Sequence, residues 1–149
     1  MQLSVDIEIS KPKSVIWTAI TDIENCSNML SSIIDLEVLN QPTETIVGLK
    51  WKETRKMFGK EATETMWITD FVENEYYCTR AESHGSVYIT KLSLTEAGEN
   101  TMLSMSFTAE AQSTFVKIIS AIMSLFIKNS MQKELFKDLL DIKNYVEKN

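Results

Sequence analysis

STFVKIISAIMSLFIKNSMQKELFKDLLDIKNYVE, residues Ser113–Glu147, is the stretch on which the fold turns. At helical spacing Phe115, Ile118, Ile119, Ile122, Met123 and Phe126, then Leu135, Leu139, Ile142 and Val146, fall on one side, which predicts one long amphipathic helix. At about 1.5 Å per residue it would run roughly 50 Å, so it must lie across something sizeable. Its halves differ. Phe115–Ile127 leaves only Lys117, Ser120 and Ser124 as a thin polar stripe, whereas Lys133–Glu147 alternates charge with core residues. The spacing predicts a packing anchor in the second half, with Leu135, Leu139 and Ile142 as its seam, and a first half that is greasy around most of its girth. Lys128-Asn129-Ser130 is the expected bend between them.

What the helix covers is read from the residues before it. From Ile34 to Ala109 the pattern predicts six strands, near 34–41, 46–57, 60–72, 75–82, 85–95 and 101–110. Turn residues separate them, among them Phe58-Gly59, Glu73-Asn74 and Ala97-Gly98-Glu99-Asn100. Links this short make antiparallel hairpins, because a parallel crossover needs a dozen or more residues. Gln2–Ile9 adds a seventh strand, with Leu3, Val5, Ile7 and Ile9 alternating against Ser4, Asp6 and Glu8. Pro12 then opens a short helix of about three turns with Val15, Ile16, Ala19, Ile20 and Ile23 at helical spacing, and Asn25–Ser32 predicts a second with Met29, Leu30 and Ile33 inward. The expected architecture is α+β: a curved seven-stranded antiparallel sheet wrapped around the long C-terminal helix, with two short helices between strands 1 and 2 plugging one end.

Composition narrows the function classes. The 149 residues are 44% hydrophobic, enough for one core, and the expected organisation is a single domain over residues 1–149. A net charge of -6 argues against nucleic acid, whose phosphates demand Lys and Arg. The opening MQLSVDIEI lacks a basic lead and an apolar run of signal length, so a cytoplasmic location is expected. Phe115–Ile127 falls short of the ~20 residues a bilayer requires, so no integral membrane segment is expected, and transient membrane contact stays open. Cys26 and Cys78 stand far apart with only His84 as an imidazole, so no metal, cofactor or redox centre is expected. His84 itself sits in the turn Ser83-His84-Gly85 and reads as solvent-facing.

The chain resembles the START-like, or Bet v 1-like, superfamily (SRPBCC), and within it the polyketide cyclase/dehydrase and lipid-transport group. The resemblance rests on element order and on four phrases. These are Pro12-Lys13-Ser14-Val15-Ile16-Trp17 with Asp22 closing the first helix, Val47-Gly48-Leu49-Lys50-Trp51-Lys52-Glu53-Thr54-Arg55, Phe58-Gly59-Lys60-Glu61, and Lys137-Asp138-Leu139-Leu140-Asp141-Ile142-Lys143. None is a catalytic signature. The resemblance implies the helix-grip fold and a hydrophobic cavity between sheet and long helix, and leaves the ligand open.

Registry supplies the candidate site. A two-residue loop at Phe58-Gly59 sets Met57 opposite Lys60, Arg55 opposite Ala62, Glu53 opposite Glu64, Trp51 opposite Met66 and Leu49 opposite Ile68. The apolar members, with Val47, make this the concave face. Glu53, Glu64 and Arg55 are thereby carried inward. Facing carboxylates repel unless one is protonated or a cation bridges them, and Arg55, diagonal to Glu64, is placed to bridge. Three readings stay open: a structural ion-pair cluster, a polar patch orienting a ligand, and an acid/base site of Glu53, Glu64 and Arg55. Further lining candidates are Tyr88, Thr90, Met105 and Phe107 on the later strands and Ile119, Ile122, Met123 and Phe126 on the helix, beside Trp51 and Met66. The methionines suit a pocket that moulds to variable apolar ligands. The expected function is binding or transport of a small hydrophobic ligand, a lipid, isoprenoid or polyketide-like molecule. The alternatives are a polyketide cyclase/dehydratase-type enzyme and a co-chaperone-like protein-interaction module.

Overall fold

Alternation at period two and short polar links produce the sheet that the sequence predicts. The computed structural model describes residues 2–57, 59–83, 85–111 and 114–148, with the side chains of Met57 and residues 111–127 outside the description. Its strands are β1 Gln2–Ile9, β2 Ile33–Asn40, β3 Lys50–Met57, β4 Lys60–Val72, β5 Tyr76–Ser83, β6 Ser86–Ala97 and β7 Asn100–Ala111. They form one antiparallel sheet in the order β1-β7-β6-β5-β4-β3-β2. Helix α1 spans Lys13–Thr21, a 3-10 turn spans Ile23–Asn25, α2 spans Cys26–Met29 and α3 spans Thr114–Lys148.

Two boundaries differ from expectation by more than two residues. β3 begins at Lys50 rather than at residue 46. Gly48 adopts φ +90°, and the Leu49 amide donates to the Ile46 carbonyl at 3.1 Å, so the preceding chain is turned rather than extended. Val47 is consequently exposed instead of lying on the concave face. The second short helix is a single turn, because Leu30 is already extended at φ -99°, ψ 114°. Ser31 instead donates from its amide and its hydroxyl to the Asp141 carboxylate of α3, at 2.9 and 2.7 Å.

The second half of α3 is the anchor. Leu139 and Ile142 are sealed in a core with Leu3, Ile9, Ile16, Ile20 and Leu103, joining α3 to β1, β7 and α1. Burial of this apolar area stabilises at roughly 25 cal/mol per Å². Polar ties then set the helix against the first strand: the Ser10 amide donates to Glu147 at 2.8 Å, and Lys143 donates to the Glu8 carbonyl at 2.7 Å. Asn25 donates to the Tyr145 hydroxyl at 2.9 Å, closing the plugged end. The helix is continuous through Lys128-Asn129-Ser130.

Candidate functional site

The β3–β4 hairpin has the expected register: Trp51 pairs with Met66, Glu53 with Glu64, Arg55 with Ala62 and Met57 with Lys60. Gly59 turns the loop at φ +77°, a conformation that costs little without a Cβ. Trp51 is buried, so its face is the one toward α3, and side-chain alternation brings Glu53, Arg55 and Glu64 to that face. Glu53 is 8% exposed. Glu64 opposite it is half-buried.

The nearest acceptor for Arg55 comes from α3. Its Nη1 donates to Asp138 Oδ2 at 2.9 Å, and its Nη2 lies 3.8 Å from Glu53 Oε2. Asp138 is only 3% exposed, and among the described residues neither its Oδ1 nor Oε2 of Glu134, one turn earlier, has a hydrogen-bond partner. Burial pushes the Glu53 carboxyl above the usual carboxylate range although Arg55 pulls it down, with Asp138 and Glu64 adding to the rise. Burial likewise raises Asp138 against the pull of Arg55. For Arg55, burial acts to lower the pKa, but Asp138 and Glu53 outweigh it and the guanidinium stays charged. The cluster is therefore a charged guanidinium set beside two carboxyls, Glu53 and Asp138, whose pKa values burial raises.

Asp138 and Glu134 are site residues that the strand register does not reach. A signal for one of them is present in the helix: Asp138 stands three residues after Leu135 and four before Ile142, so a charge sits on the core stripe. Cys26, nearby on α2, is buried, and burial followed by the Glu53 charge pushes its thiol up to about 12, which removes it as a nucleophile near neutrality. Tyr77 is sealed and donates to the Ile20 carbonyl at 3.1 Å.

The apolar candidates divide. Trp51 and Met105 are sealed into the core. Met66, Tyr88, Thr90 and Phe107 face the same side and remain half-exposed, with the Tyr88 and Phe107 rings stacked at 5.9 Å. Thr90 pairs with Phe107, and Ala81 with both Met66 and Tyr88, so these side chains form one continuous wall. Ile119, Ile122, Met123 and Phe126 lie outside the described side chains, and His84 lies outside the described residues. Among the described residues no group of three or more His, Cys, Asp or Glu could hold a metal ion, and no helix is long and apolar enough to cross a membrane.

Solved structures with this architecture are numerous. A protein from Thermus thermophilus superposes with a TM-score of 0.80 at 14% identity, covering 98% of this chain and 97% of that one. A START superfamily protein from Mycobacterium smegmatis gives 0.66 at 14% identity, with 89% and 94% covered. The chain has the START-like, or Bet v 1-like, helix-grip fold. The aromatase/cyclase Zhui from Streptomyces sp. R1128 shares that fold, with a TM-score of 0.74 at 10% identity over 99% of this chain and 93% of that one. No family model matches the sequence, and no curated protein matches it. At these identities the helix-grip likeness establishes the architecture, and the site must speak for the function.

Proposed function

We propose that this helix-grip chain binds and carries a small hydrophobic molecule in the cytoplasm, held against the half-exposed wall of Met66, Tyr88, Thr90 and Phe107 beneath α3. The observation that carries the reading is the incomplete burial of large apolar side chains on the concave face, beside a plugged end where burial is complete. Each Å² of apolar ligand surface removed from water there contributes roughly 25 cal/mol, and the Glu53–Arg55–Asp138 cluster fixes orientation. Native mass spectrometry of freshly purified protein should reveal a copurified small molecule, and an uncharged fluorescent probe such as Nile red should bind and be displaced by apolar compounds. Absence of both would end the carrier reading.

A second reading has one specific observation in its favour. Glu53 combines a raised pKa with a guanidinium 3.8 Å away, the pairing of a proton acceptor and an oxygen polariser that cyclisation and dehydration require. The likeness to an aromatase/cyclase adds support from fold alone. If Glu53→Gln abolished turnover of a polyketide-like substrate while leaving its affinity intact, the enzyme reading would replace the carrier.

A further inference from the structure

Among the described residues the polar cluster sets several carboxyls around one guanidinium. Glu53, Glu64, Glu134 and Asp138 surround or neighbour Arg55, whose Nη1 and Nη2 already turn to Asp138 and Glu53. Two carboxyl oxygens, Asp138 Oδ1 and Glu134 Oε2, are shielded from solvent and accept no hydrogen bond among the described residues. A shielded acceptor left unpaired is costly, so this arrangement favours whatever brings a donor to it. Asp138 and Glu134 lie one turn apart on α3, and Glu53 and Glu64 lie opposite each other on β3 and β4, beside the half-exposed Met66. The cluster therefore stands where the sealed anchor gives way to the apolar wall.

We infer that this cluster takes the hydrogen-bond-donating head of the ligand, a hydroxyl or an ammonium on an apolar body, and turns away a carboxylate of the same chain length. The inference rests on the carrier reading and names the chemistry of its ligand. A carboxylate head would bring a further anion to a carboxyl-rich site whose guanidinium is already engaged. A hydroxyl or ammonium gives the orphaned oxygens the donor they lack and adds no negative charge.

Calorimetric titration with decan-1-ol, decylamine and sodium decanoate, at neutral pH and physiological salt, tests this. The alcohol or the amine should bind at least about ten-fold more tightly than decanoate, the size expected for satisfying a buried acceptor. The preference should shrink in Glu134→Leu and persist for the alcohol in Glu134→Gln, which keeps an acceptor oxygen. Glu134 is half-buried, so both variants should fold, as a circular dichroism melt would verify. Decanoate binding as tightly as the alcohol and the amine would overturn the donor-head inference and leave the carrier reading intact. An undiminished preference in Glu134→Leu would overturn the role given to this cluster. Binding of none of the three compounds would overturn both readings together.

Discussion

The two ends of the concave face are built from similar residues and end in different states. At the plugged end Ile9, Leu103 and Leu139 are 0% exposed, and Thr101 and Ile142 are nearly so. At the hairpin end Met66, Tyr88 and Phe107 are no less bulky, yet they and Thr90 stay half-exposed. The difference comes from what closes each end. Helix α1, α2 and the second half of α3 converge on the plugged end and are tied to it by Ser10–Glu147, Glu8–Lys143 and Ser31–Asp141 contacts. The face is thus an anchored core that continues into a wall, with the Arg55 cluster at the join.

Breaking the join should have the largest effect. Arg55→Met removes the cation between Glu53 and Asp138, and urea unfolding should show a loss of about 3–5 kcal/mol, as for other buried ion pairs that lose one partner. A loss near zero would mean that both carboxyls are already neutral and the join is not ionic.

Leu139→Ala probes the anchor. A cavity at this fully buried position should cost about 2–5 kcal/mol, with little change in Nile red affinity once the protein is folded. Equal losses of stability and binding would erase the distinction between the two ends. Phe107→Ala probes the wall and should behave in reverse, costing only about 1–2 kcal/mol because the ring is half-exposed and stacked on Tyr88, while weakening probe binding several-fold. A cost as large as that of Leu139→Ala would show that the wall is core.

Glu53→Gln sharpens the contrast through pH. Burial raises the native pKa above the ordinary 4.5, so native Glu53 holds its proton where the unfolded chain has released it. Its stabilising contribution is fully present below the unfolded pKa and is lost as pH rises through the raised native value. Gln has no charge to bury, so the melting temperature of the variant should overtake that of wild type as pH rises from about 4 toward 8, by roughly 2–4 °C per kcal/mol. A difference that does not change with pH would show that Glu53 does not titrate with folding in this way.

The hairpin register is legible in the sequence because a two-residue loop leaves one pairing of β3 with β4, and Glu53 opposite Glu64 follows from counting. The start of β3 is not. A run that reads as one strand from residue 46 is turned around Gly48, whose positive φ no periodicity announces. Val47 therefore reads as inward and lies exposed. Asp138 escapes a sequence reading for a related reason, since a charge on an amphipathic helix is ordinarily solvent-facing, and one within the apolar stripe acquires meaning only when its partner is known.

By itself the sequence determined the order of elements, the antiparallel pairing and the inward face of β1, β3, β4, β6 and β7, because these follow from local periodicity and short links. The long helix Thr114–Lys148 belongs with them, as a run of apolar residues at helical spacing with no proline needs no tertiary contact to be read. Only the tertiary structure decided that Arg55, on β3, meets Asp138, 83 residues later on α3. Contacts between elements depend on how a helix is rotated and seated on its sheet, and packing of the whole core sets that placement. The same packing seals one end of the concave face and leaves large side chains at the other end half-exposed.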